Sequence, residues 1–481
     1  MDERRQLLIG GNWVDSEATG SIDVISASTE EVIGRVPDAV PADIDRAVAA
    51  ARTAFESGPW PALTAAERAG YLTALSQALQ RRDAELSSTI TAENGTPSML
   101  CSMIQVFPAT MTLDYYAGLA TETPLGERRE GMLGGIIVQR VPVGVVAAIV
   151  PWNVPLYTAA LKLGPALAAG CTVVLKPSPE TALDAYLLAE ALVEIGLPPG
   201  VVNVVVADRA TSEYLVTHPD VDKVAFTGST AAGRKIAAAC GDLLRPVTLE
   251  LGGKSAAIVL DDADVAQVAE TLMPMASMML SGQACIAQTR ILAPRSRYDE
   301  VVEALTEKVR SLAVGDPFDP NTIIGPLVAA RQRDRVESYI ALGQQEGAKV
   351  TVGGGRPAHL PRGWYVEPTV LTNVDNHMRV AQEEIFGPVA VVIPYEDTDD
   401  AIRLANQSDY GLGGGVYTAD PARGLDVARQ MTTGTVTLNG IGLETCAPFG
   451  GVKQSGLGRE LGPEGLAAYF NLKSIMQVPP A

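Results

Sequence analysis

"KVAFTGSTAAG", residues 223–233, begins as an apolar run, turns at a glycine and continues into small residues that a helix accepts. A strand feeding a helix through such a turn is the building unit of parallel α/β sheets. Gly228 permits the tight turn and Gly233 permits close packing behind it. Ser229 and Thr230 carry hydroxyls able to donate to phosphate, and a helix N-terminus here offers free N–H groups and a positive dipole end to an anion. Thr230 stands where the dinucleotide fingerprint GxGxxG has its second glycine, so the turn alone suits an ordinary N-cap equally well.

The surroundings decide the fold. "VVAAIV" (145–150), "TVVLK" (172–176) and "VNVVV" (202–206) are short apolar runs separated by helical patterns at 155–169, 180–195 and 211–217. This alternation implies βαβ units and a parallel sheet covered on both faces. Upstream, 42–57 and 64–95 have helical apolar spacing. Downstream, a second α/β series starts at "SAAIVL" (255–260), passes through helices near 263–279, 297–313 and 328–346, and reaches "TGTVTLN" (433–439). Residues 120–142 and the tail 471–481 fit neither series, and each holds a strand-like run that could pair across a subunit interface.

With 481 residues, the chain is too long for one core. Its 47% hydrophobic content, 46 glycines and 32 prolines, without low-complexity runs, describe a turn-rich globular protein. A net charge of -19 disfavours nucleic acid and anionic membranes as partners. The start "MDERRQLLIGG" lacks the apolar length of a signal peptide, and "VPVGVVAAIVPW" (141–152) is too short to span a bilayer. Five scattered cysteines and three isolated histidines form no disulfide framework and no metal-ligand spacing. A cytoplasmic location is the expectation, with no metal.

Three residues draw attention as chemistry. Cys285, in "SGQACIAQTR" (281–290), has Ser281, Gly282, Ala284 and Ala287 around it, side chains too small to wall it in. Glu250 lies in an apolar strand, where a carboxyl either gains proton affinity or finds a structural partner. Asn153, held between Trp152 and flanking prolines, is an N-cap or a donor to a developing oxyanion. "GGKS" (252–255) lacks the first glycine of a phosphate loop, Thr248 standing there, so no P-loop is present.

Eight motifs in order, "PWNVP" (151–155), "VVLKPSPET" (173–181), "FTGSTAAG" (226–233), "LELGGKS" (249–255), "GQACIAQTR" (282–290), "EEIFGPV" (383–389), "TGTVTLN" (433–439) and "PFGGVKQSGLGRELG" (448–462), resemble the aldehyde dehydrogenase superfamily across nearly the whole chain. The resemblance implies an α/β fold: a Rossmann-type NAD(P)-binding domain (1–119 and 143–252), an α/β catalytic domain (253–468) and a small β oligomerisation arm (120–142 and 469–481), assembled as a homo-oligomer, dimer or tetramer. It implies oxidation of a small-molecule aldehyde to the acid, with Cys285 as nucleophile through a thiohemiacetal and thioester, Asn153 and the Cys285 N–H as oxyanion donors, and Glu250 activating the hydrolytic water. Lys162 and Glu460 match a proton path to Glu250; an ordinary ion pair is the alternative. Pro151, Trp152, Lys176, Ser178, Gly228, Ser229, Gly233, Leu251, Glu384 and Phe386 match cofactor contacts.

Departures from the family pattern bear on specificity. Pro179 occupies the position three after Lys176 where many NAD-preferring relatives carry glutamate, Glu180 follows it, and Arg209 falls in the adenine-side loop. These departures leave the cofactor preference open, with NAD expected and NADP admitted. Val154 and Leu161 replace common aromatics, leaving Phe449 as the large side chain of its stretch, so an apolar aldehyde is expected.

Overall fold

The computed structural model describes residues 2–132 and 134–477; Met1, Leu133 and residues 478–481, which belong to the segments assigned to the cofactor domain and the arm, lie outside them. The first large sheet has eight strands in the order Gly456–Leu457, Val247–Glu250, Lys223–Thr227, Val145–Ile149, Thr172–Lys176, Val202–Val204, Gln6–Ile9, Asn12–Asp15. The five central strands are parallel. Numbered along the chain, they lie 5-4-1-2-3, the order that reverses direction between Val145–Ile149 and Lys223–Thr227 and opens a crevice at their carboxyl ends.

Strand alternation explains why these apolar runs are nearly continuous. Val146 and Ala148 face a core built with helices Ala65–Arg81, Phe107–Glu122 and Pro155–Ala169. Val145, Ala147 and Ile149 face the opposite core, under helices Pro41–Glu56, Arg209–Thr217 and Thr230–Asp242. Both faces are dry, so both parities are apolar. Gly233 lets the last of these helices approach the sheet: a Cβ there would lie 2.4 Å from a Leu251 methyl.

The second sheet has seven strands: Lys349–Val352, Thr369–Thr372, Val389–Tyr395, Arg290–Pro294, Ala256–Val259, Gly414–Tyr417 and Thr437–Leu438. In the stretch 433–439 that closes the second series, only Thr437–Leu438 is strand, and Gly434 runs hard against Gly450, whose carbonyl would sit 1.6 Å from a Cβ. The helix expected over 263–279 is α-helical only for Val265–Thr271 and continues as a π-helix over Leu272–Ser277, which contains Pro274.

Segment boundaries also differ from expectation. Gly456–Leu457, inside the stretch assigned to the catalytic domain, pairs antiparallel with Val247–Glu250 and completes the first sheet. Residues 120–122 are the end of helix Phe107–Glu122 rather than arm. The arm strands pair with each other within one chain: Phe470–Gln477 runs antiparallel to Gly134–Pro142, which also pairs with Gly126–Gly131.

Candidate active site

Cys285 follows a backbone contortion. Leu280, Ser281 and Gly282 have φ of 54°, 56° and 69°, a left-handed run that costs about 1–2 kcal/mol per non-glycine residue. It is held by Ser281 Oγ donating to Gly325 O (2.8 Å) and by Gly282 N–H donating to Met278 O (3.1 Å). Gly282 also passes the Gly387 carbonyl so closely that a Cβ would sit 2.1 Å from its oxygen. The bend delivers Cys285 to the space between the two sheets, against Gly253, where a Cβ would meet the Cys285 carbonyl at 2.3 Å.

The thiol is half-buried, and its walls are not its sequence neighbours. Leu161, Leu412, Phe449 and Leu461 form an apolar cluster with Tyr157, Ile286, Leu443 and Cys285 packed on it. The expectation of an open thiol is corrected accordingly: the small residues beside it leave room that distant side chains fill. Burial, then the Glu384 and Glu250 carboxylates, push the thiol up to about 12, while the Cys285 and Ile286 backbone groups pull the other way.

Asn153 Nδ2 donates to Gln283 O at 2.8 Å. A primary amide has two N–H donors, so one bond fixes the side chain and the other remains for a ligand near Cys285. The Asn153 carbonyl is itself clamped by Asn94 Nδ2 (3.2 Å) and Gln105 Nε2 (3.0 Å), and Asn94 also holds the Trp152 carbonyl (3.1 Å). Neither Asn94 nor Gln105 stands in a motif recognised from sequence; "AENGTP" (92–97) was the available signal.

Glu250 is 3% exposed, and neither carboxylate oxygen has a hydrogen-bond partner among the described residues. Burial, then Glu460, raise its proton affinity well above that of an ordinary glutamate; Lys162 and Arg459 act against this. Lys162 Nζ donates to Glu460 Oε1 (2.7 Å) and Thr227 Oγ1 (2.6 Å), so the two sequence candidates do meet, both fully enclosed. Thr227 and Glu250 are register partners on adjacent strands, which places this polar group on the same sheet face as the carboxylate.

The crevice at the strand order's reversal opens into a cavity of about 760 Å³. Its walls include Ile149, Phe226, Val216 and Ile236, and Lys176, Pro179, Arg209 and Ser229 reach it. Lys176 is buried, and burial lowers it to about 8 despite Glu180 and Asp208. Ser229 caps helix Thr230–Asp242 by accepting from Ala232 N–H (3.3 Å). A cation, an apolar slot and a capped helix N-terminus suit a nucleotide with phosphates.

Other candidates sit differently. The Ser178 hydroxyl is spent on Glu180 Oε2, and the Leu251 side chain is core packing against Gly233, its N–H donated to Ser455 O. A Cβ on Gly228 would strike the Phe226 ring at 2.5 Å. Across the cleft, Trp152, following Pro151, stands edge-on to Phe386 with centroids 5.3 Å apart. Phe386 has φ of 62°, and Gln332 Nε2 holds its carbonyl at 2.6 Å. Glu384 accepts from Gly253 N–H (2.9 Å), and burial pushes it up to about 6.

Among the described residues no group of His, Cys, Asp and Glu could hold a metal, and no helix is long and apolar enough to cross a membrane.

The model of the family described as "Aldehyde dehydrogenase family" matches residues 13–475. The chain is 50% identical over 474 residues to geranial dehydrogenase of Castellaniella defragrans, covering 98% of each. Its structure superposes on a Mycobacterium tuberculosis aldehyde dehydrogenase complexed with NAD+ at a TM-score of 0.97, with 47% identity and coverage of 100% of this chain and 99% of that one. A Pseudomonas syringae aldehyde dehydrogenase C variant, complexed with NAD+ and octanal, superposes at 0.96 with 39% identity, covering 99% and 98%. With a family model matching nearly the whole chain and relatives matching it end to end, the chain belongs to the aldehyde dehydrogenase family.

Proposed function

We propose that the protein oxidises an apolar aldehyde to its carboxylic acid with NAD, NADP being accepted, and that Cys285, Asn153 and Glu250 perform the chemistry. The observation that carries this reading is the buried Glu250 carboxylate, which has no hydrogen-bond partner among the described residues and whose charge helps push the Cys285 thiol up.

The crevice fits the cofactor: it has volume for the adenosine, a buried cation in Lys176 and a helix N-terminus at Ser229. Trp152, Glu384 and Phe386 line the path toward Cys285 and are the residues that would hold the nicotinamide end. The bound cofactor supplies a hydride acceptor.

The chain's own steps follow from the site. The Cys285 thiol gives up its proton to solvent, its Sγ forms a bond to the aldehyde carbon as the carbonyl π bond breaks, and the carbonyl oxygen takes the negative charge. The free Asn153 N–H and the Cys285 N–H receive that charge; loss of one such donor costs about 10²–10³ in rate. Loss of hydride from the same carbon leaves a thioester on Cys285. Glu250 then accepts a proton from water as its oxygen attacks the thioester carbon, releasing the acid and Cys285. Lys162 and Glu460, with Thr227, provide a buried polar route by which that proton leaves Glu250.

The apolar cluster of Tyr157, Leu161, Leu412, Leu443, Phe449 and Leu461 is the substrate wall, and geranial and octanal in the relatives' names are apolar aldehydes. Assembly as a homo-oligomer, dimer or tetramer, through the three-stranded arm sheet and residence in the cytoplasm complete the reading. A panel of aldehydes assayed by nicotinamide absorbance tests it: medium-chain and branched apolar aldehydes have the highest kcat/KM, above succinic semialdehyde. Cys285→Ala abolishes turnover yet still binds NAD. Best activity with the dicarboxylic semialdehyde, or turnover in the alanine variant, overturns the reading.

A further inference from the structure

The mouth of the cofactor crevice is lined by four cations, Lys176, Arg209, Lys235 and Arg331, and by the acids Glu180, Asp208 and Glu213. Among the described lining residues, Arg331 alone comes from beyond residue 239; it belongs to the first turn of helix Ala330–Gln345, which packs with the second sheet. Arg331 forms an ion pair with Glu180, whose other oxygen accepts from Ser178 Oγ. Burial disfavours the Glu180 charge, but Arg331 and the Ser178 hydroxyl outweigh it and hold the carboxyl below its ordinary value. Arg209, by contrast, is exposed and paired within its own helix to Glu213 at 3.2 Å.

Glu180 and Arg331 make opposite demands on an adenosine. A ribose with free hydroxyls donates to a carboxylate, whereas a 2′-phosphate takes two parallel bonds from a guanidinium and is repelled by that carboxylate. In the pair each group occupies the other, so either ligand gains one partner only by drawing it from its mate. The pair is half exposed on the arginine side, so that exchange requires no rearrangement of the core.

We propose that Arg331 is the residue that reads the 2′-phosphate, and that its ion pair with Glu180 sets the balance between NAD and NADP. This rests on the reading of the crevice as the adenosine site. Pro179 then owes its effect to an absence: with no side-chain acceptor there, the discriminating carboxylate is Glu180, one residue on and tied to the other domain.

The test is calorimetric titration of the full-length protein with 5′-AMP and 2′,5′-ADP, which probe the adenosine end without turnover. Arg331→Gln weakens 2′,5′-ADP by at least about tenfold and 5′-AMP by less than about threefold, since the lost charge-assisted bond serves the 2′-phosphate alone. Glu180→Gln moves the other way, tightening 2′,5′-ADP by at least about threefold while weakening 5′-AMP. Equal weakening of both ligands by Arg331→Gln, or no tightening by Glu180→Gln, overturns the proposal while leaving the crevice as a nucleotide site. Failure of the unaltered protein to bind either ligand overturns the reading of the crevice itself.

Discussion

Glu250 and Cys285 show how two single residues acquire reactivity from their surroundings. Burial pushes the Cys285 thiol up to about 12 and leaves Glu250 without a hydrogen-bond partner among the described residues, which suits the proposed division between a nucleophile and a base for the hydrolytic water. If that division of labour holds, Glu250→Gln slows deacylation far more than hydride loss. Rapid mixing then shows a burst of reduced cofactor of up to one per active subunit, with steady-state turnover down by about 10²-fold or more and the first turnover changed by less than about tenfold. A first turnover slowed equally, with no burst, moves Glu250 to an earlier step. Cys285, Glu250 and Asn153 could be proposed from sequence because each sits in a short motif whose neighbours are themselves constrained. Arg331, Tyr157, Asn94 and Gln105 were not, since their roles depend on which helix packs against which sheet.

Helix Leu183–Glu194 carries a pH dependence built into one element. Its first N–H groups, those of Leu183 and Asp184, donate to the Glu93 carboxylate of helix Asp83–Asn94 at 2.7 and 3.2 Å, an N-terminal cap delivered from another segment. Glu93 and Asp184 are both buried, and burial pushes Asp184 up to about 8 while burial and then Asp184 raise Glu93. The pair therefore keeps a proton at neutral pH that the unfolded chain has released. A raised folded-state pKa contributes stability that is complete below the unfolded value near 4 and is lost as pH rises through about 8. Asp184→Asn removes the titrating group, so thermal melts at pH 5 and pH 9 should show a smaller loss in the variant, which becomes more stable at pH 9 by about 1–2 kcal/mol. A loss equal to wild type rejects Asp184 as the source. Helix existence was legible here from apolar spacing; the cap was not, because its donors and acceptor lie 90 residues apart.

For the whole molecule, the strand and helix alternation was legible because both sheets are dry on both sides, and continuous apolar runs between amphipathic helices have few other solutions. The returns of the chain were hidden: a two-residue strand such as Gly456–Leu457 has no periodicity to detect, and Phe470–Gln477 finds its partner strand Gly134–Pro142 far upstream in the same chain. That arm strand exposes Leu472 and Met476, at 69% and 65%, on one face. Replacing both with glutamate leaves the backbone ladder to Gly134–Pro142 intact but charges that face, so light scattering after size exclusion should report a smaller assembly; an unchanged mass removes the arm from assembly. Gly456–Leu457 carries a different consequence. During synthesis on the ribosome, strand Val247–Glu250 emerges early and stays an unpaired edge, a template for pairing with other nascent chains, until residues 456 and 457 have been made. Closure of that edge and formation of the buried Lys162–Glu460 ion pair are thereby completed by the same late segment.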